Sequence, residues 1–62
     1  MMGLGDLFID TCDGELLCFV GFTELEDEEL TRWFYVFCDV HSLHQHAYSQ
    51  DEVDSYLEAV NF

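Results

Sequence analysis

Fourteen carboxylates against one arginine and no lysine leave a chain of 62 residues with a formal charge of −13, so its surface repels itself and opposes any compact state. Whatever fold forms has to overcome that repulsion from one small core, because a domain of this length buries a limited share of its surface. A single domain over 1–62 is expected. Half of the residues are apolar and ten are aromatic, which separates the chain from disordered acidic tails. The opening Met1-Met2-Gly3-Leu4-Gly5-Asp6 lacks the positive start and apolar stretch of a signal peptide, and no segment approaches membrane-spanning length. The expectation is a cytoplasmic protein without membrane contact. Cys12, Cys18 and Cys38 are an odd number without scaffold-like spacing, which fits reduced thiols, two of them as small core residues.

Asp13-Gly14 between two apolar runs is the signature of a two-residue type I′ hairpin. That register sets Ile9 against Cys18 and Leu7 against Val20, and places Leu7, Ile9, Thr11, Leu16, Cys18, Val20 and Phe22 on one face, expected to be the core side. Asp6, Phe8, Asp10, Cys12, Glu15, Leu17 and Phe19 then form the outer face. Thr23 and Glu26 fit a capping box at the head of an acidic segment reaching Leu30, expected as one or two helical turns or an ordered loop. Residues 33–40 are rich in aromatic and β-branched types and read as a strand with Phe34, Val36, Cys38 and Val40 inward. Trp33, Tyr35 and Phe37 would face out with Asp39, against a short helix or a partner. Ser49 and Glu52 form a second capping box, with Tyr48 and Val53 at the positions of a hydrophobic staple. A helix is expected from about Gln50 to the end, with Val53, Tyr56, Leu57 and Val60 as its apolar stripe. The fold class expected is α+β: a three-stranded antiparallel sheet, made of the N-terminal β-hairpin and one aromatic-rich strand, with a short acidic helix or loop and a C-terminal amphipathic helix packed on one face.

Carboxylates one helical turn apart, or on alternate strand residues, stand about 5 to 7 Å from one another, close to the step between phosphates of a nucleic acid strand. Three such rows can be drawn. Asp51, Asp54 and Glu58 lie on the last helix; Glu24, Glu26, Asp27, Glu28 and Glu29 lie in the middle segment; and Asp6, Asp10 and Glu15, with Asp13 at the turn, lie on the hairpin. A lone row is usually a solvated face, but ordinary surfaces intersperse both signs and this one does not. The pattern points to a strongly basic partner, such as the groove of a nucleic-acid-binding protein, and not to nucleic acid itself. Acidic, lysine-poor surfaces also arise in high-salt cytoplasms, which is the competing origin.

Cys38, His41, His44 and His46 gather one thiol and three imidazoles into nine residues, the ligand types zinc prefers, although the spacing matches no recognised finger. The alternative is a loop of polar histidines beside a buried cysteine, with no cofactor. No catalytic constellation stands out, so no enzyme is expected. A third reading is an interaction module or homodimer that uses the exposed aromatics Trp33, Tyr35 and Phe37, joined by Phe8 and Phe19.

In size, charge and sheet-plus-helix plan the chain is similar to the small acidic proteins with which phages block host enzymes: uracil-DNA glycosylase inhibitors, anti-restriction proteins and some anti-CRISPR proteins. The similarity is one of composition. It implies a stoichiometric inhibitor that occupies the DNA or RNA channel of a host defence or repair enzyme in the host cytoplasm, with acids standing for phosphates and an aromatic wedge for a base.

Overall fold

The computed structural model describes residues 3–26 and 30–60. Five strands form one antiparallel sheet: β1 (Leu7–Asp10), β2 (Leu16–Glu26), β3 (Thr31–Asp39), β4 (Gln45–Tyr48) and β5 (Leu57–Ala59), in the order β4-β3-β2-β1-β5. Among the described residues a single short helix, α1 (Gln50–Tyr56), links β4 to β5 across one side of the sheet. The expected three-stranded α+β plan is therefore wrong in three places. The acidic segment is not helical through Glu26, because Thr23–Glu26 continue β2 and pair with Thr31–Phe34 of β3. The histidine segment supplies β4. The last helix stops at Tyr56, and Leu57–Ala59 pair with β1 instead. Within the described residues no helix is long and apolar enough to cross a membrane.

The first hairpin closes differently from a type I′ turn, which needs positive φ at both central residues. Gly14 alone in this loop has it, at +77°. The connection is accordingly longer: the Asp10 N–H donates to the Glu15 carbonyl at 2.9 Å and the Gly14 N–H to the Asp10 carbonyl at 2.8 Å. Leu7 stands opposite Cys18, so the register is offset by two residues from the one expected. An even offset leaves the grouping of faces unchanged. Leu7, Ile9, Leu16 and Cys18 do share a side, but it is the wrong side for a core.

The buried cluster is Phe8, Leu17, Phe19, Phe37 and Val53, and Tyr35, Tyr48 and Leu57 pack against it. Phe37 is the hub: its ring lies 5.3 Å from that of Phe8, 5.5 Å from Phe19 and 5.5 Å from Tyr48, edge-on or tilted as aromatic quadrupoles favour. Phe34, Val36 and Cys38, expected inward, lie on the opposite side, and Val40 is exposed just past the end of β3. Both sides of these strands are apolar, so alternation alone could not choose between them; the side carrying the large rings is the one that α1 covers with Val53. A bulge between Phe19 and Gly21 adds a second departure. Gly21 takes φ +144°, a conformation side-chain-bearing residues rarely adopt, and the extra residue returns Phe22 to the side of Phe19, with ring centroids 5.2 Å apart. The core side thus extends from Phe8 to Phe22 as a continuous row of rings.

Ser49 caps α1 as its sequence implies: its hydroxyl accepts from the Glu52 N–H at 3.2 Å, and the Glu52 carboxylate accepts from the Ser49 N–H at 3.0 Å. Beyond the reach of this helix, β2 and β3 continue as a two-stranded ribbon, and the molecule measures 39 × 22 × 22 Å.

Candidate functional site

On the ribbon the helix-side face is bare. After the bulge Phe22, Glu24 and Glu26 alternate onto that face, opposite Tyr35, Trp33 and Thr31 respectively. Trp33 is 61% exposed and Phe22 58%, and Glu24 and Glu26 are exposed beside them. Two carboxylates about 7 Å apart therefore flank an indole and a phenyl ring on one surface. The row of rings continues inward from here, since Phe22 lies 5.0 Å from Tyr35 and Phe19 lies 6.1 Å from it. Asp27, Glu28 and Glu29, which the middle acidic row includes, lie outside the described residues.

The aromatic residues expected at an interface divide. Trp33 is exposed, Tyr35 is half-buried with its hydroxyl against the Gln50 side chain, and Phe37 is fully buried. Phe37 is thus structural, as are Phe8 and Phe19, and the expectation that they face outward is corrected. Phe22 takes their place at the exposed surface. Its signal was present in the isolated Gly21 within a strand pattern, which marks a bulge and a reversal of alternation.

Most other acids serve the backbone, which supplies the partners that lysine would supply elsewhere. Asp6 accepts from the Gly3 N–H, Asp10 from the Cys12 N–H and Asp13 from the Glu15 N–H, each at 2.8 Å. Each holds a turn with one oxygen. Asp54 accepts from Gln50 Nε2 at 3.1 Å, and Asp51 is exposed on the same helix. The row expected along the last helix, Asp51, Asp54 and Glu58, does not form, because Glu58 has left the helix for β5, where it stands opposite Ile9 on the far side of the sheet.

The β3–β4 turn is built on Asp39. Its Oδ1 accepts from the N–H groups of His41 at 2.8 Å and Ser42 at 3.0 Å, and Leu43 closes the turn at φ +63°. A hydrogen bond from Glu15, together with those two backbone bonds, holds the Asp39 carboxyl down at about 2, and burial, which opposes ionisation, does not reverse this. The same hydrogen bond and the adjacent Asp39 charge push Glu15 up, helped by Asp13. Tyr48 is pushed up to about 12 by burial and by Asp10, whose carboxylate accepts its hydroxyl at 3.3 Å.

The Cys38 and histidine cluster opens out. Cys38 stands opposite Gln45 and Cys18 on the outer side, His46 stands opposite Phe37 and so on the helix side, and His41 lies in the turn. Among the described residues no three histidine, cysteine or acidic side chains come together as a metal site. All three cysteines are free: Cys12 is exposed in the first loop, and Cys18 and Cys38 are half-buried on the outer face and not in the core. Comparison of the chain with protein families, with curated proteins and with solved structures gives no match.

Proposed function

We propose that this chain is an inhibitor that acts by nucleic-acid mimicry, inserting its β2–β3 ribbon into the basic DNA- or RNA-binding groove of an enzyme of the kind phages have reason to block. The observation that carries the reading is the ribbon itself: Glu24 and Glu26 beside exposed Trp33 and Phe22, on a chain with a single arginine. Such a surface offers a basic groove two things at once. Carboxylates at phosphate-like spacing pair with lysine and arginine, and long-range attraction from a charge of −13 accelerates the encounter. The rings bury apolar area where a base would stack, which slows release. Turn-holding acids such as Asp6 and Asp13 keep their second oxygen for the same purpose.

The test begins with immobilised protein in bacterial lysate at moderate salt, with elution by added DNA or RNA. Support would be a nucleic-acid enzyme that is released by the competitor and inhibited by stoichiometric protein. Against that enzyme, the double reversal Glu24→Lys with Glu26→Lys should weaken binding at least about tenfold and flatten its salt dependence, as expected when charge contacts are lost. Trp33→Ala should weaken binding and leave the salt slope unchanged. Equal salt slopes for the two variants would sink the division of labour, and binding indifferent to competitor nucleic acid would sink mimicry.

A further inference from the structure

Among the described residues, no element packs on the side of the sheet opposite α1. Leu7, Ile9, Leu16, Phe34 and Val36 line it, with the facing pair Cys18 and Cys38 among them, and Ile9 is 39% exposed. We propose that this outer face binds a second copy of the same chain, giving a two-fold dimer of sheets packed face to face. Such a dimer stands apart from mimicry and does not depend on it.

Charge placement is the first reason for choosing a second copy. Asp10, Glu24, Glu26 and Asp39 share the helix side with the acids of α1, and Asp6, Asp13 and Glu15 sit at the strand ends. Among the described carboxylates only Glu58 alternates onto the outer face, which also holds Arg32, the one arginine of the chain. Two molecules of charge −13 can therefore meet here with fewer opposed carboxylates than on any other surface. A basic partner, in contrast, finds its complement on the helix side and the ribbon.

Area gives the second reason. A compact monomer of this mass exposes roughly 4,100 Å², whereas this one exposes 4662 Å². At about 3.3 Å along a strand and about 4.8 Å between strands, each residue covers about 16 Å², so strands of 4, 11, 9, 4 and 3 residues present a flat footprint of roughly 500 Å² before side-chain relief is counted. Stable interfaces need roughly 600 to 800 Å² per partner, so the whole face has to be covered, as aligned sheet packing does. Pairing through strand edges is the weaker alternative, because the outermost strands β4 and β5 have only four and three residues.

Sedimentation equilibrium from micromolar to near-millimolar protein, at moderate salt, tests this directly. The expected result is a rise from one to two chain masses. Ile9→Lys, which lowers the net negative charge and so cannot weaken association through added repulsion, should weaken it at least about tenfold while far-ultraviolet circular dichroism stays unchanged. Should that variant unfold, the unaltered protein still decides the matter. Alkylation of Cys18 and Cys38, followed residue by residue by mass spectrometry, should slow as concentration rises, while Cys12 in its loop reacts at a constant rate. A single-chain mass over the whole range, an association that Ile9→Lys leaves intact, or outer-face thiols indifferent to concentration would each overturn the proposal.

Discussion

The Glu15 and Asp39 carboxyl groups lie side by side, one pushed up and the other held down, so the two partners place opposite demands on pH. Asp39 has its carboxyl lowered, so its contribution to stability is present above its ordinary 3.8 and disappears as pH falls through about 2. Glu15 is raised, so its contribution is complete below its ordinary 4.5 and is lost as pH rises through its shifted value. Their hydrogen bond is therefore fullest near pH ~4 and weaker at neutrality. Glu15→Gln replaces the proton with an amide N–H that is present at every pH. We expect this variant to melt higher than the parent at neutral pH and to gain less in mild acid, with Glu58→Gln as the control for simple removal of charge. Parallel melting curves for Glu15→Gln and Glu58→Gln across that range would remove Glu15 from the turn. Asp39 illustrates how such a residue escapes a reading of the sequence. It looked like one more outward acid beside Phe37, and only the fold brings it under Glu15 and onto two backbone N–H groups.

The bulge decides the character of β2. A Cβ added at Gly21 would meet nothing within 4 Å, so Gly21→Ala brings no clash, and its cost is conformational, about 1 to 3 kcal/mol. Urea denaturation should register that loss; a change within about 0.5 kcal/mol, usual for surface positions, would mean that the bulge needs no glycine. The same element explains what was legible. Which residues share a side of β1 and early β2 followed from alternation, and the Ser49–Glu52 box located the start of α1. The side facing the core did not follow, because Leu7, Ile9 and Leu16 are as apolar as Phe8, Leu17 and Phe19, and ring packing around Phe37 made the choice. The end of α1 was hidden as well. Val53, Tyr56, Leu57 and Val60 have helical spacing, but pairing of Leu57–Ala59 with β1 competes for the same backbone and wins. In the middle segment, repulsion between carboxylates a helical turn apart disfavours a helix, and the strand pairs Glu24 and Glu26 with the uncharged Trp33 and Thr31. Of the candidate surface, Trp33 and its neighbouring acids could be anticipated, whereas Phe22 needed the bulge.

For the molecule as a whole, self-repulsion is the term most open to manipulation. At about 0.01 M salt the screening length is roughly 30 Å, comparable with the 39 Å long axis, so distant acids act on one another; at about 0.1 M it falls to roughly 10 Å. The melting temperature should climb by several degrees between those conditions, since about 1 kcal/mol corresponds to roughly 4 to 8 °C in a domain of this size. A flat profile in calorimetry at fixed protein concentration would mean that the carboxylates stand too far apart to interact. The strand order has a different consequence. β1 to β4 join neighbours in sequence, but β5 returns to β1, so that Asp10 waits for Leu57. On the ribosome the hairpins can form as they emerge, yet the outer edge of β1 stays open until Ala59 has cleared the exit tunnel. A nascent chain therefore holds an unpaired strand edge from the emergence of β1 to that of β5, and the negative charge around it opposes edge pairing between neighbouring nascent chains in the meantime.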